Sequence, residues 1–143
     1  MKRARILLAD DHDEMRERVR CHLQDEFEVL DSVENGQKLL EAASKLNPDV
    51  CLLDISMPEL NGIETATRLK LIGSPAKIVF LTIHEDVDFV RAALKTGASG
   101  YVLKRRLLTD LRSAIKAALA GGIFISSSIP GKAKIELDGK TLL

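Results

Sequence analysis

No stretch of this 143-residue sequence approaches the roughly 18 consecutive apolar residues that a membrane-spanning helix requires. The basic start, Met1-Lys2-Arg3, leads into the short run Ile6-Leu7-Leu8-Ala9, which ends at Asp10-Asp11 and is too brief for the core of a secretory signal. A soluble, cytoplasmic protein without membrane contact is the expectation. Cysteine is scarce. Cys21 and Cys51 form no CxxC and adjoin no histidine cluster, which argues against a zinc site or a disulfide framework, and both are read as small buried apolar side chains. Net charge is absent too, with 21 basic and 21 acidic residues, so no global attraction toward nucleic acid follows. The balance is uneven, with 13 basic and 18 acidic residues up to Leu103 and 8 and 3 from Lys104 onward. A solvated helix face and a lysine-bearing tail explain the C-terminal excess more cheaply than nucleic-acid binding does. Internal repeats and low-complexity tracts are also missing.

What is present is an alternation. Short apolar runs rich in branched residues take turns with longer stretches of helical period, the pattern of a parallel sheet covered by helices. Five strand candidates stand out, namely Arg5 to Ala9, Phe27 to Val33, Val50 to Asp54, Lys77 to Thr82 and Gly100 to Leu103. The central ones are continuously apolar, as expected when both faces are covered. Helical spacing marks Asp13 to Asp25, Gly36 to Leu46 and Leu107 to Ala120, with Gly121-Gly122 ending the last. Breakers such as Asn35-Gly36, Asn47-Pro48, Asn61-Gly62 and Gly73-Ser74-Pro75 separate the elements. One domain with one core is the natural reading at this length. Beyond Ile123 no comparable pattern continues, although Ile135 to Leu142 fits a hairpin around Asp138-Gly139; disorder or loose docking is the default there.

Ligands of an open parallel sheet bind outside the carboxyl ends of its strands. In this sequence those ends carry Asp10-Asp11, Asp54, Thr82 and Lys104. Singly, each has an ordinary explanation: a helix cap, a loop acid, a β-former, a surface cation. Jointly they are harder to dismiss, because three carboxylates brought together repel unless a cation intervenes. A hard divalent ion such as Mg²⁺ suits carboxylate and carbonyl oxygens. An aspartate is also a competent nucleophile toward phosphorus, with Lys104 and the Thr82 hydroxyl as donors to the phosphoryl oxygens.

Four stretches resemble response-regulator receiver domains of two-component systems: residues 6–12, ILLADDH; 52–62, LLDISMPELNG; 79–82, VFLT; and 97–104, GASGYVLK. The resemblance covers residue 4 to about 128. It implies a flavodoxin-like α/β fold with a five-stranded parallel sheet, order 2-1-3-4-5, and helices on both faces. It further implies that Asp54 accepts a phosphoryl group from a sensor histidine kinase or phosphotransfer protein. Asp11, Asp54 and the Ser56 backbone carbonyl would bind Mg²⁺ directly, with Asp10 acting through water. Thr82 and Tyr101 match the switch pair, the hydroxyl moving toward the phosphoryl group as the ring turns inward. The readout face would be the fourth helix, fifth strand and fifth helix, a possible homodimer surface as well.

Some positions depart from the family's habit. Arg105 stands where many receivers have a proline after the lysine, so a cis bond there is not assumed. Ile83 replaces a small residue and is expected to narrow access to Asp54 and slow loss of the phosphoryl group. Ser56 and His84 occupy positions that modulate phosphoryl lifetime; His12 is read as a surface or modulating residue rather than a ligand. Residues 97–104 and 121–126 are most similar to the NarL/FixJ subfamily, whose members usually continue into a DNA-binding domain. None follows here, so DNA contact would require an output domain outside this sequence. Residues 1–128 are read as the receiver and 129–143 as a tail, either of a single-domain regulator, which the coherent tail favours, or of a receiver fragment from a transcriptional regulator. A phosphatase using an aspartyl phosphate is disfavoured because residue 56 is Ser where a second acid is needed, and a phosphorylation-independent pseudo-receiver is disfavoured by the complete acidic set.

Overall fold

In a computed structural model, which describes residues 2–127 and 129, the chain alternates strand and helix from its start. The order is β1 (Arg5–Ala9), α1 (Asp13–Leu23), β2 (Glu28–Val33), α2 (Gly36–Leu46), β3 (Val50–Leu53), α3 (Gly62–Leu71), β4 (Lys77–Thr82), α4 (Val87–Lys95) and β5 (Gly100–Leu103). A short 3₁₀ turn, Lys104–Arg106, leads into α5 (Leu107–Leu119), and the chain returns as β6 (Phe124–Ile125). All pairings are parallel and the sheet order is β2-β1-β3-β4-β5-β6. The flavodoxin-like order is as expected, but the sheet has six strands and not five. The sixth escaped the pattern because two residues show no periodicity. Its consequence is that the edge assigned to β5 is covered by residues 124–126.

Both faces of the central strands are buried, and the period of two divides each strand between them. Leu7, Cys51, Leu53, Phe80 and Tyr101 point to the side covered by α2, α3 and α4, against Leu39, Ala66, Leu69, Val90 and Ala93. Ile6, Leu8, Leu52, Val79, Leu81 and Val102 point to the other side, against Val19 and Leu23 of α1 and Leu111, Ala114 and Ile115 of α5. Continuous apolar strands are therefore the sequence record of a two-sided core. Cys51 is buried as expected; Cys21 is exposed on the outer face of α1, so that expectation is corrected. Ile129 packs into the α2–α3–α4 side of the core, while the proposed hairpin at Ile135 to Leu142 lies outside the described residues.

Helix starts are set by side-chain caps where asparagine precedes glycine. Asn35 accepts the Lys38 N–H at 2.8 Å and Asn61 accepts the Glu64 N–H at 2.9 Å. Asp86 occupies the same position before α4 but makes no side-chain cap bond. Replacing Asn35 by Ala should therefore lower the unfolding free energy by about 1 kcal/mol in urea titrations. Asp86→Ala should change it by only a few tenths, within the usual range of surface substitutions.

Candidate functional site

Parallel register brings the strand ends into line: Ala9 pairs with Leu53 and Thr82 with Leu103. The residues one step beyond are Asp10, Asp54 and Lys104. Backbone bonds hold the two acids in place, Asp10 N–H to Val33 O and Asp54 N–H to Ala9 O, both 3.0 Å. Lys104, from the far side of β4, places its Nζ 2.8 Å from Asp10 Oδ2 and 2.9 Å from Asp54 Oδ2. Its side chain is only 10% exposed, and Asp10 and Asp54 are buried.

Burial pushes the Asp54 carboxyl above the usual carboxylate range, and the hydrogen bond and charge of Lys104 offset this only in part. Burial also pulls on Lys104, but hydrogen bonds to Asp10 and Asp54 and their charges together hold it above the ordinary lysine value. Sequence alone calls for a divalent ion to reconcile the carboxylates. In the structure a lysine lies between two of them.

Asp11 is exposed at the mouth of the site, and carboxylate oxygens of Asp10, Asp11 and Asp54, with a ring nitrogen of His12, lie within 4.8 Å of one another. Three carboxylates from one sheet edge form a hard-oxygen set suited to Mg²⁺. His12 is solvent-exposed; its N–H bonds Asp10 Oδ1 at 2.9 Å, and its Nδ1 lies 3.1 Å from Asp11 Oδ1. Beneath Asp54 the loop turns back on itself, with Gly62 N–H bonded to Ile55 O at 2.8 Å. A Cβ on Gly62 would stand 2.0 Å from the Asp54 carbonyl oxygen, which explains why the Asn-Gly pair follows the acid at this spacing.

The remaining predicted residues meet around His84. Its N–H donates to Thr82 Oγ1 at 3.3 Å, and its carbonyl accepts the Tyr101 hydroxyl at 2.7 Å. The Tyr101 ring is wholly buried and tilted against Phe80, and burial lifts its hydroxyl pKa. The His84 ring bonds Ser56 Oγ through Nε2 at 2.9 Å and stacks on Phe89 with centroids 4.2 Å apart. A groove of about 580 Å³ runs from Asp11, Ser56 and Asn61 to an apolar wall of Ile55, Met57, Pro58, Ile63 and Phe89. Phe89 lies in none of the motifs that mark the site in the sequence. Ile83 is 70% exposed and does not line that groove. Arg105 follows a trans bond and pairs with Glu85 at 2.8 Å, tying the β4–α4 loop to the turn after β5.

Comparison with known proteins gives one consistent answer. The family model described as the response regulator receiver domain matches residues 6–116. The transcriptional regulatory protein DegU of Brevibacillus brevis is 40% identical over 126 residues, covering 87% of this chain and 53% of that protein. The nitrate/nitrite response regulator protein NarL of Escherichia coli K12 is 36% identical over 128 residues, 88% of this chain and 59% of that one. The chain thus spans little more than half the length of these relatives. Among solved structures, a two-component response regulator of the LuxR family from Aurantimonas sp. SI85-9A1 superposes with a TM-score of 0.88 at 29% identity, covering 96% of this chain and 99% of that one.

The lysine bridge carries a pH dependence. Lys104→Met leaves Asp54 buried without its cation, so its folded pKa rises further above the unfolded value. A group raised in this way is best tolerated below its unfolded pKa and becomes costly as pH climbs through the folded one. In chelator-containing buffer, urea unfolding of Lys104→Met should show a deficit of about 3 kcal/mol at pH 8 that shrinks toward pH 4. A deficit independent of pH would contradict this account.

Proposed function

Because the chain belongs to the response regulator receiver domain family, we propose that it is a phosphorylation-dependent signalling switch in which Asp54 accepts a phosphoryl group from a histidine kinase. The observation that carries this is Lys104 Nζ held at hydrogen-bond distance from both Asp10 and Asp54. It leaves a buried carboxylate beside a fixed positive charge, with a second acid on the other side.

In the transfer, an Asp54 oxygen forms the new O–P bond as the P–N bond of a phosphohistidine breaks. The departing imidazole keeps the electron pair of that bond and takes up a proton. Such transfers depend on positioning and charge neutralisation more than on covalent work by the protein. Asp10, Asp11, Asp54 and the Ser56 carbonyl would hold Mg²⁺, which when bound supplies positive charge against the phosphoryl oxygens. Lys104 serves the same oxygens from the opposite side. Turnover of an external substrate is not part of this reading.

The switch runs through His84. Recruiting the Thr82 hydroxyl to a phosphoryl oxygen breaks its long bond from the His84 N–H, and the His84 carbonyl is the acceptor that holds Tyr101 inward. Near-complete switching needs about 5.5 kcal/mol of differential stabilisation. Hydrogen bonds to charged groups contribute about 1.5–3 kcal/mol each, so about two to four suffice. In this reading Ser56 and His84, whose side chains hydrogen-bond each other at 2.9 Å, modulate phosphoryl lifetime together with the exposed Ile83.

Output is a second question. The relatives above are regulators of transcription or of the nitrate response, so an effect on transcription through a DNA-binding part is the reading we favour over an isolated single-domain switch. Self-association, if used, would engage the α4, β5 and α5 face, now flanked by β6.

Incubation with Mg²⁺ and acetyl phosphate, or with a cognate kinase, should add about 80 Da to the intact mass, the weight of one phosphoryl group. Asp54→Ala and chelation of the metal should each abolish the gain. Absence of an adduct with both donors would leave a phosphorylation-independent receiver as the better reading.

A further inference from the structure

Why the chain returns after α5 to form a two-residue strand is not explained by the acidic site itself. Phe124 N–H donates to Ser99 O at 2.9 Å and Ser126 N–H to Tyr101 O at 3.0 Å, so the segment lies alongside the strand that ends in Lys104. At the next step the ladder changes character. Leu103 N–H is satisfied by the Ser126 side chain, Oγ at 3.1 Å, while the Ser126 carbonyl turns away to accept Ile129 N–H at 3.2 Å. The same hydroxyl donates to Asp110 Oδ2 at 2.8 Å, a buried carboxylate on α5 that also accepts Arg106 Nε at 3.0 Å.

We propose that Ser126, backed by Asp110, is a positioning residue for Lys104: it fixes the backbone immediately before the lysine, and so the reach of the amine between Asp10 and Asp54. The inference rests on the reading of Asp54 as phosphoryl acceptor. The geometry supports it on three counts. The Leu103 amide is buried within the sheet, so it needs an acceptor, and here that acceptor is a side chain. Asp110 and Ser126 are buried polar groups, and their bonds to each other and to Arg106 give them a consistent set of donors and acceptors. Lys104 must then cross over the end of β4 to span two carboxylates, so the place and direction of its backbone set whether the amine meets both.

The test is single-turnover labelling with acetyl phosphate and Mg²⁺, followed by intact mass, at a temperature where every variant is folded. Ser126→Ala should lower the labelling rate at saturating donor on the order of tenfold and leave the half-saturating concentration unchanged, since the group positioned acts in the transition state. On a Lys104→Ala background the same substitution should cost nothing further, because Ser126 acts through the lysine. Should Ser126→Ala fail to fold, Asp110→Asn removes the charged acceptor of the hydroxyl, keeps the side chain's size and enters the same cycle with a loss in the same direction. An unchanged rate, or an equal loss with and without Lys104, overturns the proposal and leaves Ser126 a stabiliser only. A wild-type protein that takes no label overturns instead the reading of Asp54.

Discussion

Two carboxylates buried at adjacent strand ends are a charge problem before they are a functional site. At 4 Å and an effective dielectric of about 20, like charges oppose each other by about 4 kcal/mol, a large share of a small domain's stability. Lys104 removes this conflict for Asp10 and Asp54 by standing between them. Much of the architecture follows from that demand. The acids lie at the ends of β1 and β3, while the lysine follows β5, and β4 separates them. Neighbouring strands are spaced about 4.8 Å apart, so only a long side chain at the very end of β5 can cross. Where it crosses, β4 presents Thr82, small and polar, in place of a bulky group.

The crossing also explains why the strands must end together. Asp54 and Lys104 are fifty positions apart in the chain and meet only because the parallel register aligns Leu53 with Ala9 and Phe80, and Leu103 with Thr82. A slip of one residue in β5 would send the lysine to the opposite face of the sheet. Gly62 enforces the same alignment from below, since only a residue without Cβ lets α3 begin against the Asp54 carbonyl. The motif that follows the acid is thus packing chemistry placed beneath a reactive group.

Features governed by period and by strand ends were legible in the sequence. The five long strands, the three helices assigned by spacing and the convergence of Asp10, Asp11, Asp54, Thr82 and Lys104 all rest on main-chain geometry, which alternation and turn residues report. What escaped depends on where individual side chains point. Ile83 reads as bulk next to the site yet turns to solvent, whereas Phe89, outside every motif, stands in the groove wall. Cys21 looks like core and lies outside it. Strand β6 is invisible for a different reason: it is two residues long, and what fixes it, two main-chain bonds to Ser99 and Tyr101, the burial of Ile125 and the Ser126–Asp110 bond beyond it, has no periodic trace.

The three consecutive cations after β5 show how burial ranks otherwise similar contacts. Lys104 engages Asp10 and Asp54, Arg105 engages Glu85, and Arg106 engages Asp110. Arg105 and Glu85 are both half in water, and exposed pairs of this kind contribute about 0–1 kcal/mol, so this tie to the β4–α4 loop is weak and easily remade. Asp10, Asp54 and Asp110 are buried, and removing a cation or donor from a buried acid is far more costly. Lys104, only 10% exposed and bonded to both acids, is therefore the group most directly coupled to the charge on Asp54. From Lys104 the chain runs directly through the 3₁₀ turn into α5 and, by way of Asp110 and Ser126, to β6, while the loop bearing His84 is held by Thr82, Tyr101, Ser56 and Phe89.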